Sequence, residues 1–241
     1  MKKNPKYNYV RGTVNTDRGS RNYEIAGFKL PSVTTILART KNQYWIKRWK
    51  EKVGEQEAER IKNLSSKRGT SMHKFLEKYI RNIGYEDLTE IGVQAKPMAQ
   101  KIIEIGFTPI TEYYGSEVTI YYPGLYAGST DLVCMHNDQQ TVVDFKQANR
   151  PKREEWIEDY YLQASAYAMA HDYIHGSNIT QCIIMVCTPD LYYQEFKFSG
   201  LILRDWKHKF LKRIDEYYEI IREPTINTKE LLKEFEKDAK A

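Results

Sequence analysis

The chain has 241 residues with 37 Lys and Arg against 32 Asp and Glu, a formal net charge of +5. That length allows one domain with a sizeable core, and the modest excess of positive charge permits a polyanionic partner without demanding one. No segment approaches a membrane span, the start MKKNPKYNYV has no apolar run of the signal-peptide kind, and Cys134, Cys182 and Cys187 form no pair motif. A soluble protein of the cytoplasm or another reducing compartment is expected, with no membrane partner.

Residues 1–30 are polar, and NYEIAGFKL reads as a small hairpin turned at Ala26-Gly27. A helix follows at PSVTTIL, with proline near its first turn and Ser32 or Thr34 as cap; such a helix start also accepts a phosphate. Residues 43–64 form an amphipathic helix. Trp45, Ile46, Trp49 and Val53 are spaced for one face, so the aromatics are expected inward and the lysines in water, with Gly54 as a possible kink. Residues 39–68 hold ten basic and four acidic residues, net +6, so one arm carries the excess charge. After a break at 63–65, a helix over 66–81 places His73 and Glu77 one turn apart.

Further along, KPMAQKIIEIG reads as a helix ending at Gly106. Three strands follow in YGSEVTIYYPG, LYAGSTDLVCMHND and QQTVVDFKQANR, with polar residues 136–140 as the hairpin break. Helix 154–175 sets Gln163 and Tyr167 on one face, and its alanines allow close approach to neighbours. Residues 181–188 are almost wholly apolar, hence a strand covered on both faces; 191–198 alternates and pairs with it, helix 201–221 closes the domain, and 223–241 is a short tail helix. The expected fold class is therefore α/β, with a mixed central β-sheet flanked by helices. It is one domain over 1–241, comprising a hairpin and basic arm (1–65), a core (66–222) and the tail.

Alternation on a strand puts Asp144 and Lys146 on one face and Phe145 on the other. Asp131 closes the neighbouring strand after Gly128-Ser129-Thr130, so a hairpin brings both aspartates to one point. Two carboxylates and a lysine suit a hard divalent ion. They equally suit a plain ion pair at strand ends, and the residues alone leave both readings open.

The stretch from Arg68 to Tyr167 resembles the PD-(D/E)xK nuclease superfamily in its RecB-like branch. The matching residues are His73 on a helix, Gly128 with Asp131, Asp144-Phe145-Lys146, and Gln163 with Tyr167, in that order. GSTD stands where the superfamily name has proline-aspartate. PSVT at 31–34 is similar to a segment of the mitochondrial genome maintenance type of single-strand exonuclease. The resemblance implies a restriction-endonuclease-like core and Mg2+ or Mn2+ held by His73, Asp131, Asp144 and the Phe145 carbonyl. Lys146, Glu117 and Gln163 would be catalytic partners, Glu117 being preferred over Glu112 for its β context. It also implies DNA as partner, contacted by Ser32, Thr34, Lys47, Arg48, Arg68, Gln163 and Tyr167. Some relatives hold an iron-sulfur cluster on four cysteines; three cannot supply that pattern, so none is expected.

The expected activity is metal-dependent hydrolysis of DNA by an exonuclease acting on single strands with free ends, work that belongs to repair, recombination or replication. A structure-specific endonuclease and a non-enzymatic recombination accessory module are the alternatives, told apart by product length and by the presence of hydrolysis. Polarity, DNA against RNA, protein partners and oligomeric state stay open, and a monomer is compatible.

Overall fold

In the computed structural model, residues 1–17 and 19–221 are described; the expected tail helix lies outside them. Nine strands and six helices run in the order β1 (Lys2–Lys3), β2 (Thr13–Asp17), β3 (Ser20–Ile25), β4 (Phe28–Pro31), α1 (Val33–Thr40), α2 (Tyr44–Val53), α3 (Glu55–Ile80), α4 (Glu90–Gly106), β5 (Ile110–Tyr122), β6 (Tyr126–His136), β7 (Gln139–Gln147), α5 (Glu158–His175), β8 (Gln181–Cys187), β9 (Tyr193–Ser199) and α6 (Gly200–Ile221). The central sheet has the order β1-β5-β6-β7-β8-β9, and β2-β3-β4 form a separate small sheet. β1 is parallel to β5, β7 is parallel to β8 through the α5 crossover, and the other central pairs are antiparallel. This is a restriction-endonuclease-like α/β core with a mixed sheet and an N-terminal group of strands and helices. No helix among the described residues is long and apolar enough to cross a membrane.

Two apolar layers enclose the sheet. β8 is buried throughout and divides its side chains between them by strand alternation. Cys182, Ile184 and Val186 pack with α1, α5 and α6, while Ile183, Met185 and Cys187 pack with α3 and α4. The three cysteines are buried thiols. Both expected hairpin turns form: Ala26-Gly27, and Asn137-Asp138 between β6 and β7, where positive φ at both residues matches the two-residue turn that suits twisted strands.

Several local expectations are corrected. α3 runs unbroken through 63–65, since nothing there stops a helix, and the real break is Gly54 at φ +85, a value that favours glycine. α2 buries no residue at all, so Trp45 and Trp49 are outside rather than packed inward. α4 starts at Glu90, capped by the Thr89 hydroxyl, and carries Pro97 within it. Gly106 does not end that helix by a left-handed cap. A Cβ there would lie 2.7 Å from Met185 Sδ and Tyr193 Oη, so glycine is needed for close approach to the sheet. The expected helix from 154 begins as a short 3-10 turn, with α5 proper starting at Glu158. Asp131 sits in the middle of β6, not at its end.

The irregular segment between β1 and β2 is held down by His171 on α5. Ser177 Oγ donates to Asp172, so His171 Nδ1–H donates to Ser177 at 2.7 Å and Nε2 accepts from the Tyr9 hydroxyl at 2.9 Å. Burial, with His175 and Lys6 nearby, lowers the His171 pKa to about 3. The unfolded chain, with histidine near 6.5, takes up this proton first as pH falls, so the stability His171 contributes is present above that value and is lost on the way down to about 3. Urea unfolding at pH 7.5 and pH 5 should show a loss of about 2 kcal/mol attributable to His171, added to smaller losses from His136 and His175, whose values burial also lowers. His171→Gln should show a correspondingly shallower pH dependence.

Candidate metal centre

The β6–β7 ladder ends at Leu132↔Val143, so the next opposed residues, Asp131 and Asp144, stand where the strands part. The Phe145 N–H released there is taken by Asp131 Oδ2 at 2.6 Å. On a strand the N–H and C=O of one residue point to the same side, so the Phe145 carbonyl faces the same gap. Asp131 Oδ1 is left for His73 Nδ1, 3.3 Å away. His73 arrives because the buried face of α3, with Met72, Phe75 and Leu76, packs on the sheet.

Glu117 completes the cluster, its Oε1 lying 3.8 Å from His73 Nδ1. It sits opposite Asp131, between the paired Ser116↔Leu132 and Val118↔Thr130, with φ of +51. Left-handed backbone at a non-glycine residue costs about 1–3 kcal/mol and gathers at functional sites. One ligand atom each from His73, Glu117 and Asp131 lies within 4.8 Å of the others. Two carboxylates and an imidazole nitrogen at that spacing fit a divalent cation, which would relieve the repulsion between the acids. A candidate divalent-metal site is therefore present.

Asp144 is 1 % exposed and its Oδ2 lies 2.5 Å from Lys146 Nζ. Lys146 also donates to Gln163 Oε1 at 3.2 Å, and Gln163 Nε2 donates to the Tyr167 hydroxyl at 2.9 Å. Tyr160, one turn before Gln163, places its ring 5.1 Å from the ammonium. The lysine is thus held at three points by β7 and α5. Burial opposes charge throughout this cluster. It raises the Asp144 pKa to about 6 against the pull of Lys146, and it is outweighed at His73, where the Asp131 carboxylate brings the value up to about 10. Asp131 is also opposed by burial but ends lowered, with His73 and Lys146 stabilising its anion. Lys146 is raised despite burial because Asp144 and Asp131 face it.

The structure brings together His73, Glu117, Asp131, Phe145, Asp144, Lys146, Gln163 and Tyr167. The tight donor cluster, however, is His73 with Glu117 and Asp131, whereas Asp144 turns to Lys146. Other expected contacts lie elsewhere. Arg68, expected on DNA phosphates, is 5 % exposed and spends its guanidinium on the side-chain oxygens of Gln147, Gln94 and Asn149. Ser32 is a buried cap, accepting from Thr35 N at 2.9 Å and bonding the Thr34 hydroxyl, so its oxygen is already occupied. Thr34 is exposed, as are Lys47 and Arg48. Tyr167 is buried under β6 rather than open to a ligand. Tyr160 and Asn149 escaped sequence reasoning. Tyr160 shares a helix face with Gln163 and Tyr167, a signal that was available, while the Asn149 contacts join distant segments and left none.

No protein-family model matches the chain, and no curated protein matches it in sequence. Among solved structures, a Eubacterium rectale protein provisionally named an exonuclease aligns at TM-score 0.45 and 11% identity, over 63% of this chain and 68% of its own. An alkaline exonuclease from Laribacter hongkongensis aligns at TM-score 0.30 and 15% identity, over 63% of this chain and 81% of its own. Similarity at this level transfers no chemistry to this chain.

Gly128 supports the site from below. A Cβ there would meet Tyr167 Cε1 at 2.5 Å. Gly128→Ala should push the ring away, disturb the Gln163 hydrogen bond, and lower stability by about 1–3 kcal/mol in denaturant unfolding. Combining it with Tyr167→Leu should cost less than the sum of the two single changes.

Proposed function

We propose that this protein is a metal-dependent nuclease of the RecB-like PD-(D/E)xK type, an exonuclease hydrolysing DNA phosphodiesters on single strands with free ends. The carrying observation is the meeting of His73, Glu117 and Asp131 beside the Asp144–Lys146 pair where β6 and β7 part. The RecB-like assignment rests on the order of these residues in the chain.

In this reading His73, Glu117 and Asp131 hold Mg2+ or Mn2+, with Asp144 and the Phe145 carbonyl as adjoining oxygens. When bound, the ion polarises a phosphoryl oxygen and makes a water acidic enough to attack. Lys146, aimed by Asp144, Gln163 and Tyr160, orients that water or neutralises charge that develops on the phosphate. Because its anchors are in place before substrate arrives, little reorganisation is required during the reaction. Lys47 and Arg48 of α2 contact phosphates, which gives affinity without sequence preference.

Asp131→Asn should abolish the calorimetric Mn2+ site and lower hydrolysis of end-labelled single strands by at least two orders of magnitude. Lys146→Ala should keep the Mn2+ site and lose the hydrolysis. Undiminished turnover in Asp131→Asn would place the ion elsewhere, and absence of metal-dependent hydrolysis from the parent protein would remove the enzymatic reading.

The arm yields a separate expectation. Replacing Lys47 and Arg48 together by alanine should weaken single-strand binding and flatten its log-log salt slope by about 1.4, at ~0.7 per phosphate contact. Linear single strands should be degraded well ahead of single-stranded circles, with short products. Efficient cutting of circles would instead identify an endonuclease.

A further inference from the structure

The segment 41–65 leaves the body and returns to it at the two ends of a single connection. At one end Lys41 Nζ pairs with Asp159, one turn before Gln163 on α5. At the other Asn149 Nδ2 donates to Ser65 Oγ at 2.8 Å, three residues after Lys146. The segment that carries α2 and the stretch 149–159, which leads from β7 into the first turn of α5, therefore make one closed circuit, whose two junctions lie along the chain between Lys146 and its glutamine partner Gln163.

Both halves of this circuit expose aromatic rings beside cations. On α2, Trp45 is 72 % and Trp49 39 % exposed, no residue is buried, and four basic side chains accompany one acid. On the connection, Trp156 is 48 % exposed, with the Arg150 and Arg153 guanidiniums 5.3 and 5.2 Å from its ring. Glu154, Glu155 and Glu158 of the same turn line a different cleft, with Trp206 and Lys209. Large rings left in water are otherwise unfavourable. Trp45 and Trp49 are four residues apart, a rise of about 6 Å, close to twice the ~3.4 Å repeat of stacked bases. Apolar ring faces interleaved with positive charge complement a chain that carries π faces and negative charge in alternation. An uncharged protein surface would leave the cations without partners, and an acidic one would answer the charge but offer the rings no planar faces to stack on.

We infer that Trp45, Trp49 and Trp156 form a base-stacking surface for a single-stranded nucleic acid, whose phosphates are held by Lys47, Arg48 and Arg150. This rests on the nuclease reading and adds to it: the strand is gripped by its bases as well as its phosphates, before and apart from hydrolysis. Duplex DNA, with its bases already stacked on one another, has no faces to offer these rings.

The test is anisotropy of the full chain in EDTA with fluorescent oligo-dT and with an abasic strand of equal length and charge. The base-bearing strand should bind roughly 5- to 150-fold more tightly for each stacked base, and it should quench tryptophan emission. Trp45→Ala with Trp49→Ala should remove most of the discrimination while leaving the circular dichroism unchanged, because neither ring is in the core. Equal affinity for the two strands, or full discrimination retained by the double variant, overturns the inference. Since no metal is present, loss of discrimination leaves the nuclease reading intact, and absence of hydrolysis in the earlier assay leaves the stacking result intact.

Discussion

The site depends on the parting of β6 and β7. Up to Leu132↔Val143 the two strands satisfy each other's backbone; beyond that pair the Phe145 N–H is a buried donor that needs a partner, and Asp131 supplies it. A buried amide left unbonded would cost about 1–3 kcal/mol, so the aspartate is drawn to this point by the sheet as well as by any ion. With one oxygen committed to Phe145, its other oxygen has a fixed direction, toward His73. The carboxylate thereby couples sheet geometry to site geometry.

The remaining charges are arranged around that coupling. Glu117 accepts an unfavourable backbone conformation and stands against a second carboxylate, and Asp144 is buried almost completely beside Lys146. Removing either member of such a buried pair leaves an uncompensated charge; both are carried by β7, and α5 packs over them with Gln163 and Tyr160 against the lysine. The fully buried Ala164, Ala166, Ala168 and Ala170 of α5, together with Gly128 on β6, are the small residues that let Gln163 reach Lys146. Local strain and repulsion at the site are thus carried by a rigid two-layer core around β8.

The arm follows the opposite logic. It has no core of its own and is held by a surface ion pair, a few hydrogen bonds and the buried Arg68, whose charge faces three amide oxygens rather than a carboxylate. Each exposed tie is weak on its own. α3 passes from this segment to the candidate site as one continuous helix whose second half is anchored in the core.

The α/β class, the β6–β7 hairpin, the common face of Asp144 and Lys146, and the helical spacing of Gln163 and Tyr167 are all legible in the amino-acid order. These are local matters, decided by strand alternation, turn chemistry and helix periodicity. The family resemblance added His73 and Glu117 to Asp131 as candidates, but it took the folded chain to show that these three form the close donor cluster while Asp144 turns to Lys146. That choice depends on where two strands stop pairing and on a left-handed residue in β5, neither of which has a local signature. The same holds for Arg68, Trp45 and Trp49. Periodicity shows that two tryptophans share a helix face and charge shows that an arginine favours anions, yet whether a face meets a core or water is settled by what packs against it. Here, among the described residues, no core forms over the two rings, which stay exposed, whereas three distant amides cover the arginine.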